Sequence, residues 1–93
     1  MLLDFEWDSE KEKINITKHG LDFETASRVF YDENRIEKYD GEHSIDEDRY
    51  ITIGEINGVA FVVMVVYTER KSAIRIISAR KATKREKEEY YDR

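Results

Sequence analysis

Apolar residues recur along the chain at two different spacings, and the switches between them mark out its elements. Leu3, Phe5 and Trp7 in "LLDFEW" alternate with polar positions, the two-residue period of a short strand. Asp8 follows as an N-cap for a helix over about 9–18, which "HG" closes with Gly20 as the left-handed terminator. A second helix opens at "LDFETASRVF", capped by Asp22, with Phe23, Ala26, Val29 and Phe30 at the spacing of a buried stripe. From residue 35 the pattern is sheet-like. "RIEKY" reads as a weak strand, "DGEHSIDED" as a polar loop and "RYITIGEI" as another strand, while "NG" at 57–58 predicts a hairpin turn. The returning strand "VAFVVMVVYT" is apolar on both faces, which predicts a central place in the sheet. "RKS" then turns the chain into "AIRIISA", with Ile74, Ile76 and Ser78 expected on one face and Arg75, Ile77 and Ala79 on the other. A last helix starts near Thr83, where Glu86 completes a capping box. The expected fold is α+β, ordered β-α-α-β-β-β-β-α, one domain over residues 1–93 with a mainly antiparallel sheet.

Composition removes several function classes. With no cysteine there is no disulfide framework, no thiolate zinc site and no thiol nucleophile, which fits a reducing cytoplasm. The apolar run "VAFVVMVVY" falls short of the roughly 20 residues needed to cross a bilayer. The first residues carry acids where a signal peptide needs a basic leader, so a cytoplasmic protein without membrane contact is expected. Charge is segregated along the chain. Residues 1–68 hold 7 basic and 16 acidic side chains, whereas 69–85 hold seven basic ones against Glu69 alone. A basic surface for a polyanion and an acidic one for a basic protein follow from that asymmetry.

Three stretches carry candidate chemistry. At the junction of the last strand and last helix, Arg80, Lys81, Lys84 and Arg85 gather where a helix N-terminus is already positive. Cations there oppose the helix dipole unless an anion such as a phosphate is to be bound; the plainer reading is a solvated surface pairing with Glu86, Glu88 and Glu89. In "TKHG", His19 suits proton transfer near neutrality, but it also suits capping of the last helical carbonyls. In "YTERK", Arg70 at a strand end can fork onto a phosphate or serve the turn. His19 and His43 lack the spacing of a helical metal site, so neither metal nor cofactor is expected. Tyr90, four residues after Glu86, shares a helix face with it.

Together "FEWDSEKEKINITKHGLDFETASRVF", "RYITIG", "VVYTER" and "IRIISARKATKREKEEY" resemble the BrnT family, toxins of type II toxin–antitoxin pairs. The resemblance implies a RelE-like fold and a ribonuclease that halts translation. It also implies neutralisation by a BrnA-type antitoxin with a ribbon-helix-helix domain, and a toxin–antitoxin complex bound to its own promoter DNA. Metal-free RNA cleavage needs a base, an acid and cations at the phosphorus. The candidates are His19, Tyr90 and Glu86 for protons, with Arg70 and Arg80 at the reacting centre. Lys18, Arg70, Arg75, Lys81 and Lys84 are the expected phosphate-binding set. The alternatives are a binding module that docks a partner protein or DNA without cleavage, and a gyrase poison on the same fold.

Overall fold

The computed structural model describes residues 3–56 and 61–92. Its elements are β1 (Asp4–Trp7), α1 (Ser9–His19), α2 (Phe23–Ser27), β2 (Ile36–Tyr39), β3 (Tyr50–Glu55), β4 (Val62–Arg70), β5 (Ala73–Lys81) and α3 (Lys84–Tyr91). Short 3₁₀ turns cover Arg28–Tyr31 and Gly41–His43. The α+β order expected from the pattern is present; the "NG" turn lies outside the described residues.

Local chemistry sets the helix boundaries. The Asp8 carboxylate accepts from the backbone N–H groups of Glu10 and Lys11, and those bonds hold it below the usual carboxylate range. At the other end Gly20 takes φ 69° and returns its N–H to the Ile16 carbonyl. Asp22 caps α2 through the Thr25 N–H, and Thr83 and Glu86 form the reciprocal capping box of α3.

The sheet runs β1-β5-β4-β3-β2, with β1 and β5 parallel and every other pair antiparallel. The strand apolar on both faces, β4, is the middle one. One sheet face packs Val63, Val65, Tyr67, Ile76 and Ala79 against Phe23, Ala26, Val29 and Phe30 of α2 and the turn after it. On the other face Ile53, Val62 and Met64 pack against Ala82 and Tyr90, the one buried residue of α3.

The register of β5 differs from strict alternation. Val66 pairs with Ser78 and Tyr67 with Ile76, so Ile77 is an extra residue, a bulge. Side chains change sides there. Ala79, rather than Ser78, joins Ile76 in the core, and Ser78 and Arg80 move to the face that carries Arg75. Without the bulge, Arg75 and Arg80, five residues apart, would point to opposite faces.

Two side chains seal the sheet where an edge strand stops short. β1 pairs only as far as Ile76, and beyond it Asn15 of α1 takes the place of a strand. Its amide Nδ2 donates to the Ala79 carbonyl (2.8 Å) and the Leu21 carbonyl (2.9 Å), while Oδ1 accepts from the Ala79 N–H (3.0 Å). On the other side Asp32 accepts from the Glu55 N–H, beyond the end of β2, and from the Tyr90 hydroxyl. Gly54 permits that approach, because a Cβ there would lie 2.8 Å from Asp32 Oδ2.

Candidate active site

The basic residues near the end of β5 fall into two groups that the fold treats differently. Arg75 and Arg80 are held on carboxylates, whereas Arg85 at the start of α3 has no carboxylate partner among the described residues. Arg80 forks onto Glu86, Nη1 to Oε1 at 2.8 Å and Nη2 to Oε2 at 3.1 Å, and Nη1 also donates to the Lys81 carbonyl. Arg75 donates to Glu6 across the β1–β5 pair at 2.7 Å. The lysines are not so held. Among the described residues Lys11, Lys18, Lys81 and Lys84 have no carboxylate partner; Lys81 sits 5.0 Å over the Phe61 ring.

Pairing does not exhaust Arg80. A guanidinium has five N–H donors in a fixed plane, and Glu86 and Lys81 engage the end formed by Nη1 and Nη2. The Arg80 side chain as a whole is 31% exposed. Among the described residues nothing engages the Nε–H and the second Nη2–H, which form a side-on fork matched to two phosphate oxygens. Glu86 therefore acts as a brace. Burial pushes its carboxyl up, but the Arg80 hydrogen bonds, the Thr83 backbone N–H and the Arg80 charge together hold it below the usual range. A carboxyl with a lowered folded pKa contributes stability at neutral pH that is lost as pH falls through that value. The stability difference between the protein and Glu86→Gln is expected to narrow below about pH 4, measured by urea unfolding from about pH 7 to about pH 3.

A cleft of about 150 Å³ lies between α1 and β5, lined in part by Lys11, Lys18, His19 and Ser78; Arg80 is not in its lining. Lys18 and His19 occupy the last turn of α1, where the negative end of the helix dipole favours cations. Ser78 faces the same side of the sheet as Arg80, two residues on, a consequence of the bulge. The site thus joins the end of α1, the second half of β5 and the capped start of α3.

Two expected site residues lie elsewhere. Arg80 is opposite Met64, whereas Arg70 is opposite Ala73; six residues of strand put about 20 Å between them. Arg70 instead pairs with Glu47 at 3.4 Å, in the acidic loop at the other end of the sheet. The end of the central strand therefore does not meet the helix junction. Tyr90 is buried under α3, and its hydroxyl is on Asp32 at the far side of β3. Two strand spacings separate it from β5, about 10 Å. Asn15 and Ser78 were not singled out as site residues. Isoleucines at 14 and 16 point to different sides of a helix, so no local apolar stripe marks the face that Asn15 occupies.

The cleft thus carries lysines and a histidine on its α1 side, the kind of positive lining that attracts a polyanion. The family model of BrnT, the ribonuclease toxin of type II toxin–antitoxin systems, matches residues 7–86, and the chain belongs to that family. No curated protein matches it. The chain is accordingly the ribonuclease toxin of a type II pair, with RNA as substrate and an antitoxin as partner. No helix among the described residues is long and apolar enough to cross a membrane.

Proposed function

We propose that the α1–β5 cleft and the Arg80 fork hold the scissile phosphodiester of an mRNA and cleave it internally without a metal ion. The ribose 2′-oxygen attacks phosphorus and the bond to the 5′-oxygen breaks, leaving a 2′,3′-cyclic phosphate and a free 5′-hydroxyl. Arg80 and the Lys18 ammonium bear the charge that builds on the phosphorane oxygens. His19 takes the 2′-hydroxyl proton, and water supplies the proton that the departing 5′-oxygen gains. Glu86 is a positioning residue, and Arg75, Lys81 and Lys84 attract the flanking backbone. Arg70 and Tyr90 lie outside this set by placement. The observation that carries the reading is a guanidinium braced on Glu86, with an edge that no described residue engages, two residues along β5 from Ser78 in a cleft lined by lysine and histidine.

The family resemblance further supports a BrnA-type partner with a ribbon-helix-helix domain and a complex that binds its own promoter. It likewise supports action on translation in the cytoplasm. Purified toxin incubated with RNA, with and without ribosomes, is expected to cleave equally in EDTA and to leave cyclic phosphate ends. Cleavage abolished by EDTA and restored by a divalent cation would overturn the metal-free reading.

A further inference from the structure

Helix α1 inverts the usual arrangement: its asparagine is buried, with 3% of its surface exposed, while Ile14 is 59% exposed. Ile14 sits where two hollows meet. One is the cleft with Lys11, Lys18 and His19; the other, about 230 Å³, lies across the helix and is lined by Lys13, Ile14, Thr17 and Lys18. We propose that this groove over α1 is the docking site for an acidic amphipathic segment of the antitoxin, an apolar side chain seated on Ile14 and carboxylates on Lys11 and Lys18.

The chemistry of the groove selects that occupant. An isoleucine between lysines offers an anchor for an apolar side chain and a rim for opposite charge, the pattern that receives an amphipathic helix. RNA would use the lysines but gain nothing from burying Ile14. Neither Lys11 nor Lys18 has a carboxylate partner among the described residues. Lys13 reaches Glu10 only at 3.5 Å, with both side chains about three-quarters exposed, a pair of small worth that a partner's carboxylate can replace. Complementary charge of this kind also speeds capture of the toxin. Lys18 borders both hollows, so a segment lying along the groove covers the cleft. That consequence rests on the function proposed above; the docking itself does not.

The test is calorimetric titration of the full-length toxin with its cognate antitoxin. Ile14→Ser, which removes the anchor, and Thr17→Glu, which sets a carboxylate against the incoming ones, are each expected to weaken the complex by about tenfold or more. Ile45→Ser, at an 85% exposed isoleucine in the acidic loop, should bind within about twofold of the unsubstituted toxin, since exposed side chains outside an interface carry little of its energy. Normal affinity for both α1 variants, in preparations that fold as judged by circular dichroism, would overturn the proposal. So would a loss confined to Ile45→Ser. Cleavage assays on the same preparations separate the occupants. Thr17→Glu that cuts RNA normally yet escapes the antitoxin supports docking here; Thr17→Glu that cuts poorly and still binds assigns the face to RNA. A toxin inactive on RNA in every form would remove the proposed chemistry and leave the calorimetric result standing.

Discussion

Asn15→Leu is expected to cost about 3–5 kcal/mol of folding stability, a large part of what a protein of this size possesses. The substitution keeps the branched outline of the side chain, adds bulk in place of the amide, and loses three hydrogen bonds. The Ala79 N–H and carbonyl and the Leu21 carbonyl would then be buried without partners, at about 1–3 kcal/mol for each group. β1 cannot extend to repair the loss, because the chain leaves it after Trp7 to enter α1. Urea unfolding would show a lowered midpoint with little change in slope. Asn15→Asp supplies an internal control. It retains an acceptor for the Ala79 N–H but turns a carboxylate toward two carbonyl oxygens, so its folded pKa is expected to rise above that of an ordinary aspartate. Such a carboxyl is tolerated when protonated. The Asn15→Asp deficit should therefore be full-sized near neutrality, shrink as pH falls through the raised folded value, and change no further below about pH 4. A leucine variant as stable as the parent would show that Asn15 does not replace a strand.

Arg80→Lys should cleave RNA about 10²-fold more slowly than the parent, equivalent to about 2.7 kcal/mol of barrier, and Arg80→Ala at least as slowly. Lysine preserves the charge, but an ammonium cannot hold Glu86 with one edge and a phosphate with another. Cleavage rates by single-turnover assay, with circular dichroism as the check on folding, measure this. A lysine variant with the parental rate would reduce Arg80 to a point charge and leave the fork without a role.

The parts of the fold legible in the sequence are those that a few neighbouring residues decide. Asp8, Asp22 and Gly20 announce helix ends because the orphan N–H and carbonyl groups of a helix must be met locally. The capping box of Thr83 and Glu86 is read from two letters three apart. The continuous apolar run of β4 specifies its central place because both its faces must be covered. The family, too, is carried by ordered local motifs.

The arrangement of the site was less legible because it depends on register and on partners distant in sequence. Counting alternate residues assigns Ser78 to the core side, and the bulge at Ile77 reverses the outcome for every residue after it. Arg70 and Arg80 look equivalent as letters; strand pairing puts them at opposite ends of the sheet. Tyr90 lies one helical turn beyond Glu86, but its hydroxyl is claimed by Asp32, 58 residues earlier. The basic junction was visible as composition, whereas the bracing of Arg75 and Arg80, but of no lysine there among the described residues, required Glu6 and Glu86 to be seen in place.

Titrating isotope-labelled toxin with an RNA oligonucleotide methylated at every 2′-oxygen, which binds but cannot be cut, locates the phosphodiester without reference to activity. The expected NMR changes fall on the Arg80 Nε–H, the Ser78 and Ala79 amides, the His19 ring and the Lys18 amide. Changes confined to the Arg70 turn and the acidic loop, or to the surface around Tyr90 and Tyr91, would contradict the placement of RNA between α1 and β5.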